Sequence, residues 1–424
     1  MSPGGLSAEI VAVGTELLLG DAVDTNSAHL SRRLAEIGVD VYRHTAVGDN
    51  PARLEAAIAE ACGRADAVLV TGGLGPTQDD LTRDAVAALA GVPLERDERL
   101  VAHLDRFFRD RGREMPVANL RQADLPAGAR VLEPVGTAAG FALDVAGATV
   151  YCLPGVPREM APMADADVVP ELAARAGAQV TVSRLVRTAG MSESLVAERA
   201  GALVERLEEA GNPTVAFLAS RGETRVRVTG KADSRQAALA LVDPVVDELV
   251  DRLGSGVVGL DDEGVEHAIA RLLRERGWTL ALAESVTAGL LSGRLVGVAG
   301  ASEWLLGGLV VYATASKRAL AGLDEVLDAH GPVSEATSIA LATAARERLD
   351  SDVGLGVTGV AGPDAQDGVA PGTLIVAVDL PGRPPGARTI TLPPRERPAM
   401  LEFATSAALD HLRRALADVD APGW

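Results

Sequence analysis

Over the first 150 or so residues, short aliphatic runs alternate with stretches of helical spacing, and few folds accommodate that alternation. Residues 10–13 read as a buried strand, and the segment after Thr25 places Leu30, Leu34 and Ile37 at helical spacing before Gly38 stops it. Residues 39–47 form a second extended run. Asn50 then caps a helix opened by Pro51, Gly63 follows it, and residues 67–71 form a third strand. Strand, helix, strand, helix, strand with short links demands right-handed crossovers and a parallel sheet covered on both faces. A further strand at 149–153 and the turn Leu153-Pro154-Gly155 bring this block to its end near Glu171. Hydrophobic residues make up 47% of the chain but aromatics only 3%, so the cores must be built from Ala, Val and Leu, as suits such sheets.

Two further blocks follow. Residues 184–188 are strand-like, 192–210 helical, 214–218 a strand, and 224–229 alternate Val226 and Val228 with Arg225 and Arg227, so one face is wet. A helix over 234–253 completes a β-α-β-β-α unit, read as a connector or dimerisation domain in which the two arginines are solvated charges. Gly254, Gly256, Gly259 and the acidic stretch 261–263 read as a linker. The third block opens with an amphipathic helix (Val265, Ile269, Leu272, Leu273) stopped by Gly277. Strands follow at 279–283, 309–312, 353–358 and 373–379, and the Pro- and Arg-rich stretch 381–398 is placed at the surface before a final helix. The expected fold class is α/β: a three-layer domain over 7–171, a small α+β connector over 172–258 and a C-terminal α/β domain over 259–418.

At 424 residues the chain has room for about three domains of ~150 residues each. Its formal charge of −19 opposes the phosphate backbone that dominates nucleic-acid affinity, so DNA and RNA are disfavoured as partners. No stretch is long and apolar enough to insert into or cross a membrane, and the start of the chain has no signal-peptide pattern. Cys62 and Cys152, the only cysteines, sit in apolar contexts and read as packing residues of a reducing, cytoplasmic setting.

In the first domain, polar or Gly-rich loops lie at the carboxyl ends of the strands: Gly14-Thr15-Glu16, Gly48-Asp49-Asn50 and residues 71–77 (TGGLGPT). Such loops converge on one crevice in open α/β sheets. Gly72, Gly73 and Gly75 let the backbone approach a ligand, and the amides ahead of the next helix, with Thr77, form an anion site suited to phosphate. Asp79 and Asp80 follow directly, and with Asp49 they offer oxygen ligands to Mg²⁺ or a similar hard cation. A phosphate cradle beside a metal points to phosphoanhydride chemistry. A tight strand-to-helix link with capping aspartates is the alternative.

In the third block, strand 279–283 ends in Glu284-Ser285-Val286-Thr287-Ala288-Gly289, and a hydroxyl at a strand-to-helix turn lies near amides able to stabilise an oxyanion. Serine needs a base. His330 precedes a Gly-Pro turn and reads as structural, whereas Lys317 acts as a base when desolvation lowers its pKa. A Ser–Lys pair suits hydrolysis of an amide.

The strings AEIVAVGTELLLG (8–20), TGGLGPTQDD (71–80) and LPGVPREM (153–160) resemble the N-terminal domain of the CinA, or competence/damage-inducible, family. AESVTAG (283–289), GGLVVYATASK (307–317), HGPVSE (330–335) and VTGVAGP (357–363) resemble the C-terminal domain of that family, which is similar to nicotinamide mononucleotide deamidases. The resemblance implies a molybdopterin-binding-like first domain acting as a metal-dependent ADP-ribose pyrophosphatase, with a divalent metal (Mg, Mn or Co) on Asp49, Asp79 and Asp80. It implies a cofactor-free deamidase at the other end, with Ser285 as nucleophile and Lys317 as its base. Thr287, Tyr312, Thr358 and Gly359 would line the nicotinamide pocket, and Arg397 would meet the phosphate.

The sequence departs from the family at Val286, where a Cys is usual, at Ala313-Thr314, where Ser-Asn is usual, at Leu401 in place of an Arg, and across 362–373, which lacks the usual Lys. A homodimer is the assembly the resemblance implies. The expected function is thus a two-headed hydrolase of pyridine-nucleotide metabolism acting on ADP-ribose and nicotinamide mononucleotide. The alternative is a non-enzymatic pterin- or nucleotide-binding regulator, and a role in DNA uptake finds no support at this charge.

Overall fold

A computed structural model describes residues 5–177, 180–220 and 222–418. Their contacts group into two compact units: the chain up to Val182 with Lys231–Leu239, and Ser183–Gly230 with the chain from Ala240 onward.

In the first unit β1 (Ser7–Val13), β2 (Asp40–Val47) and β3 (Ala67–Thr71) form where the sequence places them. The intervening helices, Thr25–Glu36 and Pro51–Cys62, are capped by Asp24, which accepts from the Ser27 amide at 2.9 Å, and by Asn50, which accepts from the Arg53 amide at 3.1 Å. The short β4 (Leu94–Arg96) and β5 (Asp124–Pro126) make a separate ribbon, and β6 (Arg130–Leu132), β7 (Gly140–Val145) and β8 (Ala148–Leu153) complete a six-stranded sheet of order β2-β1-β3-β8-β7-β6.

Strands β2, β1, β3 and β8 pair in parallel, as expected; β7 alone is reversed, pairing antiparallel with both β8 and β6. The reversal comes from a two-residue link, Ala146-Gly147, with φ of 51° and 91°, which closes a hairpin and leaves no room for a crossover. Alternation along each strand sends Val11, Val68, Val70, Val150 and Cys152 to one face and Ile10, Leu69, Tyr151 and Leu153 to the other, each under its own helices. Cys62 and Cys152 are buried and unpaired, as packing residues should be. The chain leaves β1 for β2 on one side and reaches β3 on the other, so the loops after β1 and β3 flank the crevice where ligands bind in such sheets.

The second unit holds all of β10 (Thr214–Ser220) and helix Glu193–Ala210, and most of β9 (Val180–Ala189), β11 (Glu223–Ala232) and helix Arg235–Leu253, the elements of the middle sheet and its helices. The presumed linker contributes a fourth strand, β12 (Val257–Leu260), antiparallel to β9, in a sheet of order β10-β11-β9-β12. Its glycine serves close approach rather than a loop: a Cβ on Gly259 would lie 2.2 Å from the Glu263 carbonyl.

The C-terminal sheet has the order β14-β13-β15-β16-β17, from β13 (Leu280–Glu284), β14 (Leu305–Val310), β15 (Val353–Gly359), β16 (Thr373–Asp379) and β17 (Gly386–Thr391). Two expectations are corrected. Strand β14 ends at Val310, which leaves Tyr312 in the following loop. The stretch 381–398 is not all surface, because β17 pairs with β16 and buries Ile390, with Leu392 buried just beyond it. Only one residue of β17 is fully buried, so Pro and Arg mask the strand in the sequence.

Helices Val265–Arg276 and Arg397–Ala417 cover one face of this sheet and Glu335–Arg348 the other. The latter sits close because β15 carries glycines: a Cβ on Gly354 would fall 2.0 Å from the Ala342 carbonyl, and one on Gly356 2.2 Å from that of Ser338. The final helix also holds the middle sheet. Its fully buried Asp410 accepts from Arg413 and Arg414 at 2.7 Å each, and these reach the Ser255 carbonyl at 2.9 Å and the Ala189 carbonyl at 3.5 Å. Among the described residues no helix is long and apolar enough to cross a membrane.

Overpacking at the glycine contact costs about 1–3 kcal/mol in comparable cores. Gly356→Ala is therefore expected to lower the urea midpoint of the full chain, and an unchanged midpoint contradicts the close helix–strand contact.

Candidate functional site

Strand β13 carries four buried apolar residues and ends in Glu284, which is fully buried. No cation pairs with it among the described residues. Its carboxylate is instead saturated by donors from the next eight residues: the Thr287 hydroxyl at 2.8 Å, the amides of Gly289 (2.9 Å), Leu291 (3.1 Å) and Ser292 (2.9 Å), and the Ser292 hydroxyl at 2.6 Å. These amides belong to the start of helix Leu290–Val296, which no other side chain caps. The loop between strand and helix is thereby closed on itself, with Ala288 held at φ 50° and Gly289 at 98°.

Ser285 sits at the head of this loop, its amide donating to the Val357 carbonyl at 3.0 Å and its side chain 95% covered, being 5% exposed. It lines a cavity of 340 Å³ together with Lys317, Tyr312, Gly359 and Arg397. Lys317 is not the exposed lysine that its sequence position suggests. It is 2% exposed, and its Nζ donates to the Tyr312 carbonyl at 3.3 Å. No carboxylate among the described residues pairs with it, and burial pushes its ammonium pKa below the usual lysine value.

Arg397 opens the final helix and bridges the mouth of the cavity, donating to the Gly362 carbonyl at 2.6 Å and the Tyr312 hydroxyl at 2.5 Å. Asp364 and Gln366 line the cavity from the loop between β15 and β16. Val286, Ala313 and Thr314 also face it, whereas Leu401 packs against the core.

Two expected wall residues are absent from this cavity. Thr287 is fully buried and gives its hydroxyl to Glu284, and Thr358, also fully buried, donates to the Pro332 carbonyl at 2.9 Å. Both brace loops beneath the wall instead of facing a ligand. His330 is exposed at the end of helix Asp324–His330 and lies outside the lining.

The TGGLGPT loop of the first unit is built differently from expectation. Gly72, at φ 106°, would place a Cβ 2.3 Å from the Val13 carbonyl. Gly73, at φ 66°, would place one 2.4 Å from the Thr82 hydroxyl, and Gly75 one 2.4 Å from Asp80. The three glycines thus let the loop approach its own neighbours. Asp80 ties the loop internally: Oδ1 accepts from the Gly75 amide at 2.7 Å, Oδ2 from the Thr77 amide at 2.8 Å and the Thr77 hydroxyl at 2.6 Å. Asp49 accepts from the Thr15 amide at 2.9 Å and hydroxyl at 2.7 Å. Asp79 is exposed, and a hydrogen bond from Thr77 holds its carboxyl below the ordinary carboxylate value.

Among the described residues no three His, Cys, Asp or Glu side chains converge on one point. Asp49, Asp79 and Asp80 as placed therefore do not fit the divalent metal expected on them.

Beneath the loop lies a residue the sequence reading passed over. Arg83 is fully buried, donates to the Leu74 carbonyl at 2.7 Å and the Gly75 carbonyl at 2.6 Å, and forms no ion pair among the described residues. Desolvation pushes its pKa down, and the fields of Asp80, Asp84 and Asp124 push the other way. Glu284 and Arg83 are legible only as charges inside apolar periodic segments. Lys317 carried a plainer signal: the chain has two lysines, Lys231 and Lys317, and meets every other need for a cation with arginine.

Three family models match the chain: the probable molybdopterin binding domain over residues 9–174, the damage-inducible protein CinA KH domain over 183–259, and the CinA C-terminal domain over 262–416. A CinA-like protein of Frankia casuarinae is 48% identical over 422 residues, covering 97% of this chain and 96% of the relative. A putative competence-damage inducible protein of Moorella thermoacetica is 41% identical, covering 97% and 99%, and a CinA-like protein of Gloeobacter violaceus is 42% identical, covering 98% of each.

Removing one partner of a buried charged network leaves several donors unsatisfied, at roughly 1–3 kcal/mol each for the worst placed. Glu284→Ala is therefore expected to lower the melting temperature of the full chain by several degrees, and Glu284→Gln by less. Equal melting of all three proteins contradicts the clamp.

Proposed function

The chain belongs to the CinA family, and we propose that its C-terminal cavity is the active site of an amidohydrolase that deamidates nicotinamide mononucleotide. The observation that carries this reading is a buried lysine with a lowered pKa and no carboxylate partner, in one cavity with a serine at a strand-to-helix turn. An ordinary lysine is protonated at neutral pH and removes no proton; one desolvated in this way has a neutral fraction that does.

The chemistry follows in two halves. Neutral Lys317 takes the proton of the Ser285 hydroxyl as Oγ attacks the carboxamide carbon, and the carbonyl electrons move to oxygen. When the tetrahedral intermediate collapses, the C–N bond breaks and protonated Lys317 returns its proton to the leaving nitrogen, releasing ammonia. Water then attacks the acyl ester with Lys317 again as base, the C–Oγ bond breaks, and nicotinate mononucleotide leaves with Ser285 restored. Arg397 is the phosphate partner at the mouth, exchanging the Gly362 carbonyl and Tyr312 hydroxyl for phosphate oxygens. With Asp364 and Gln366 in place of the family's lysine, the phosphate has fewer cations to meet, so substrate binding is the weak point of this site and the Ser–Lys chemistry is kept.

For the N-terminal domain the second reading, a nucleotide- or pterin-binding domain, is favoured by Asp80, whose two oxygens both serve the loop. ADP-ribose is expected to bind without release of AMP in Mg²⁺, Mn²⁺ or Co²⁺. Metal-dependent AMP release that Asp80→Ala abolishes would restore a pyrophosphatase.

Three outcomes are expected of ammonia-release kinetics on nicotinamide mononucleotide. Ser285→Ala and Lys317→Met each lose at least about 10³-fold in kcat. Arg397→Ala raises KM by roughly tenfold with kcat largely kept. Because the neutral amine is the active form, kcat/KM rises with pH through the lowered Lys317 pKa and levels off below the ordinary lysine value of 10.5. Wild-type rates in Ser285→Ala, or a profile flat in pH, would sink the assignment.

A further inference from the structure

Within the same unit, the structure has a cavity of 680 Å³, twice the size of the one just described and walled by other residues. Its floor is a chain of alternating charges. Arg187 meets Glu223 at 2.8 Å, Arg294 meets the other oxygen of Glu223 at 3.0 Å, and Arg294 also meets Glu266 at 2.6 Å. Arg294 donates in addition to the Ser406 hydroxyl at 2.9 Å on the final helix. Each carboxylate of the floor is thus matched, and Glu402 in the wall is engaged as well.

Arg225 is the exception. It projects from β11 on the same face as Glu223, two residues along, lines the cavity, and is half-buried without an ion pair or hydrogen bond among the described residues. The lining carries three arginines (Arg187, Arg225 and Arg294) and three glutamates (Glu223, Glu266 and Glu402), and Arg225 is the guanidinium left open to an anion. Leu290 supplies an apolar wall beside it.

We propose that this cavity is an effector site for a mononucleotide, with the phosphate on Arg225 and the ring or sugar against Leu290. Guanidinium and phosphate match in fork geometry, and the volume lies in the range that small-molecule sites occupy, about 300–1,000 Å³. The site is connected to Ser285 through one short element. Leu290 and Arg294 both lie on helix Leu290–Val296, whose first amides are the ones that Glu284 holds beside Ser285. A ligand that draws Leu290 or loosens Arg294 from Glu266 acts on the loop that aims the serine. Binding is independent of the deamidase reading; the coupling to Ser285 rests on it.

AMP is a suitable probe. Calorimetric titration of the full chain is expected to show AMP binding that weakens at least tenfold in Arg225→Gln, is partly kept in Arg225→Lys, and is unchanged in Arg397→Gln. Circular dichroism melting of Arg225→Gln should match the wild type, since the side chain holds no partner. Absence of heat up to millimolar AMP, or an isotherm that Arg225→Gln leaves unaltered, overturns the site. For the coupling, AMP is expected to change the rate of ammonia release at least twofold in the wild type and not in Arg225→Gln. An equal response in both proteins overturns it. Should the chain release no ammonia at all, the deamidase reading fails while the titration still decides whether AMP binds at Arg225.

Discussion

A carboxylate buried without a cation must collect hydrogen bonds or become neutral, and Glu284 collects five. The C-terminal unit is arranged around that requirement. The donors are the ones a helix start has in surplus, so one side chain both satisfies itself and caps Leu290–Val296. What lies between the carboxylate and the donors is the loop headed by Ser285, and its conformation follows from the geometry of the clamp. Ser285 and Val286 of this turn line the 340 Å³ cavity, and Leu290 and Arg294 of the helix that follows line the 680 Å³ one.

Lys317 obeys the same physics with the opposite outcome. It too is buried, but it finds a single carbonyl instead of five donors, so its charge is not compensated and its pKa falls. On the proposed reading, this poorly solvated lysine is the base that activates Ser285. Arg83 in the N-terminal unit is a third variation, a buried cation that grips two loop carbonyls and keeps the TGGLGPT turn in shape. In that turn the glycines and Asp80 serve the loop itself.

Much of the fold was legible because periodicity in aliphatic segments reflects burial on two sheet faces: Val11 and Ile10, or Val226 and Arg225, alternate in sequence as they do in space. Strands β12 and β17 were not, since glycines in one and Pro and Arg around the other conceal elements that are held by their neighbours more than by their own pattern. Of the candidate site, Ser285, Lys317, Tyr312, Gly359 and Arg397 do meet around one cavity. Thr287 and Thr358 were misplaced because spacing alone does not tell a hydroxyl that faces a ligand from one that braces a loop. Asp49, Asp79 and Asp80 looked like metal ligands because acids near a Gly-rich loop are ambiguous between coordination and capping, and hydrogen bonds decide.

The uncompensated burial of Lys317 is the claim from which the chemistry follows, and it can be measured without turnover. The chain has only two lysines, so selective isotope labelling of lysine gives two side-chain NMR signals, and the Lys317→Met variant identifies which is which. The Lys317 signal is expected to titrate clearly below the ordinary lysine value of 10.5 in the wild type. A Lys317 that titrates at or above 10.5 in the free protein is an ordinary ammonium, and it would contradict the assignment of a base to this site.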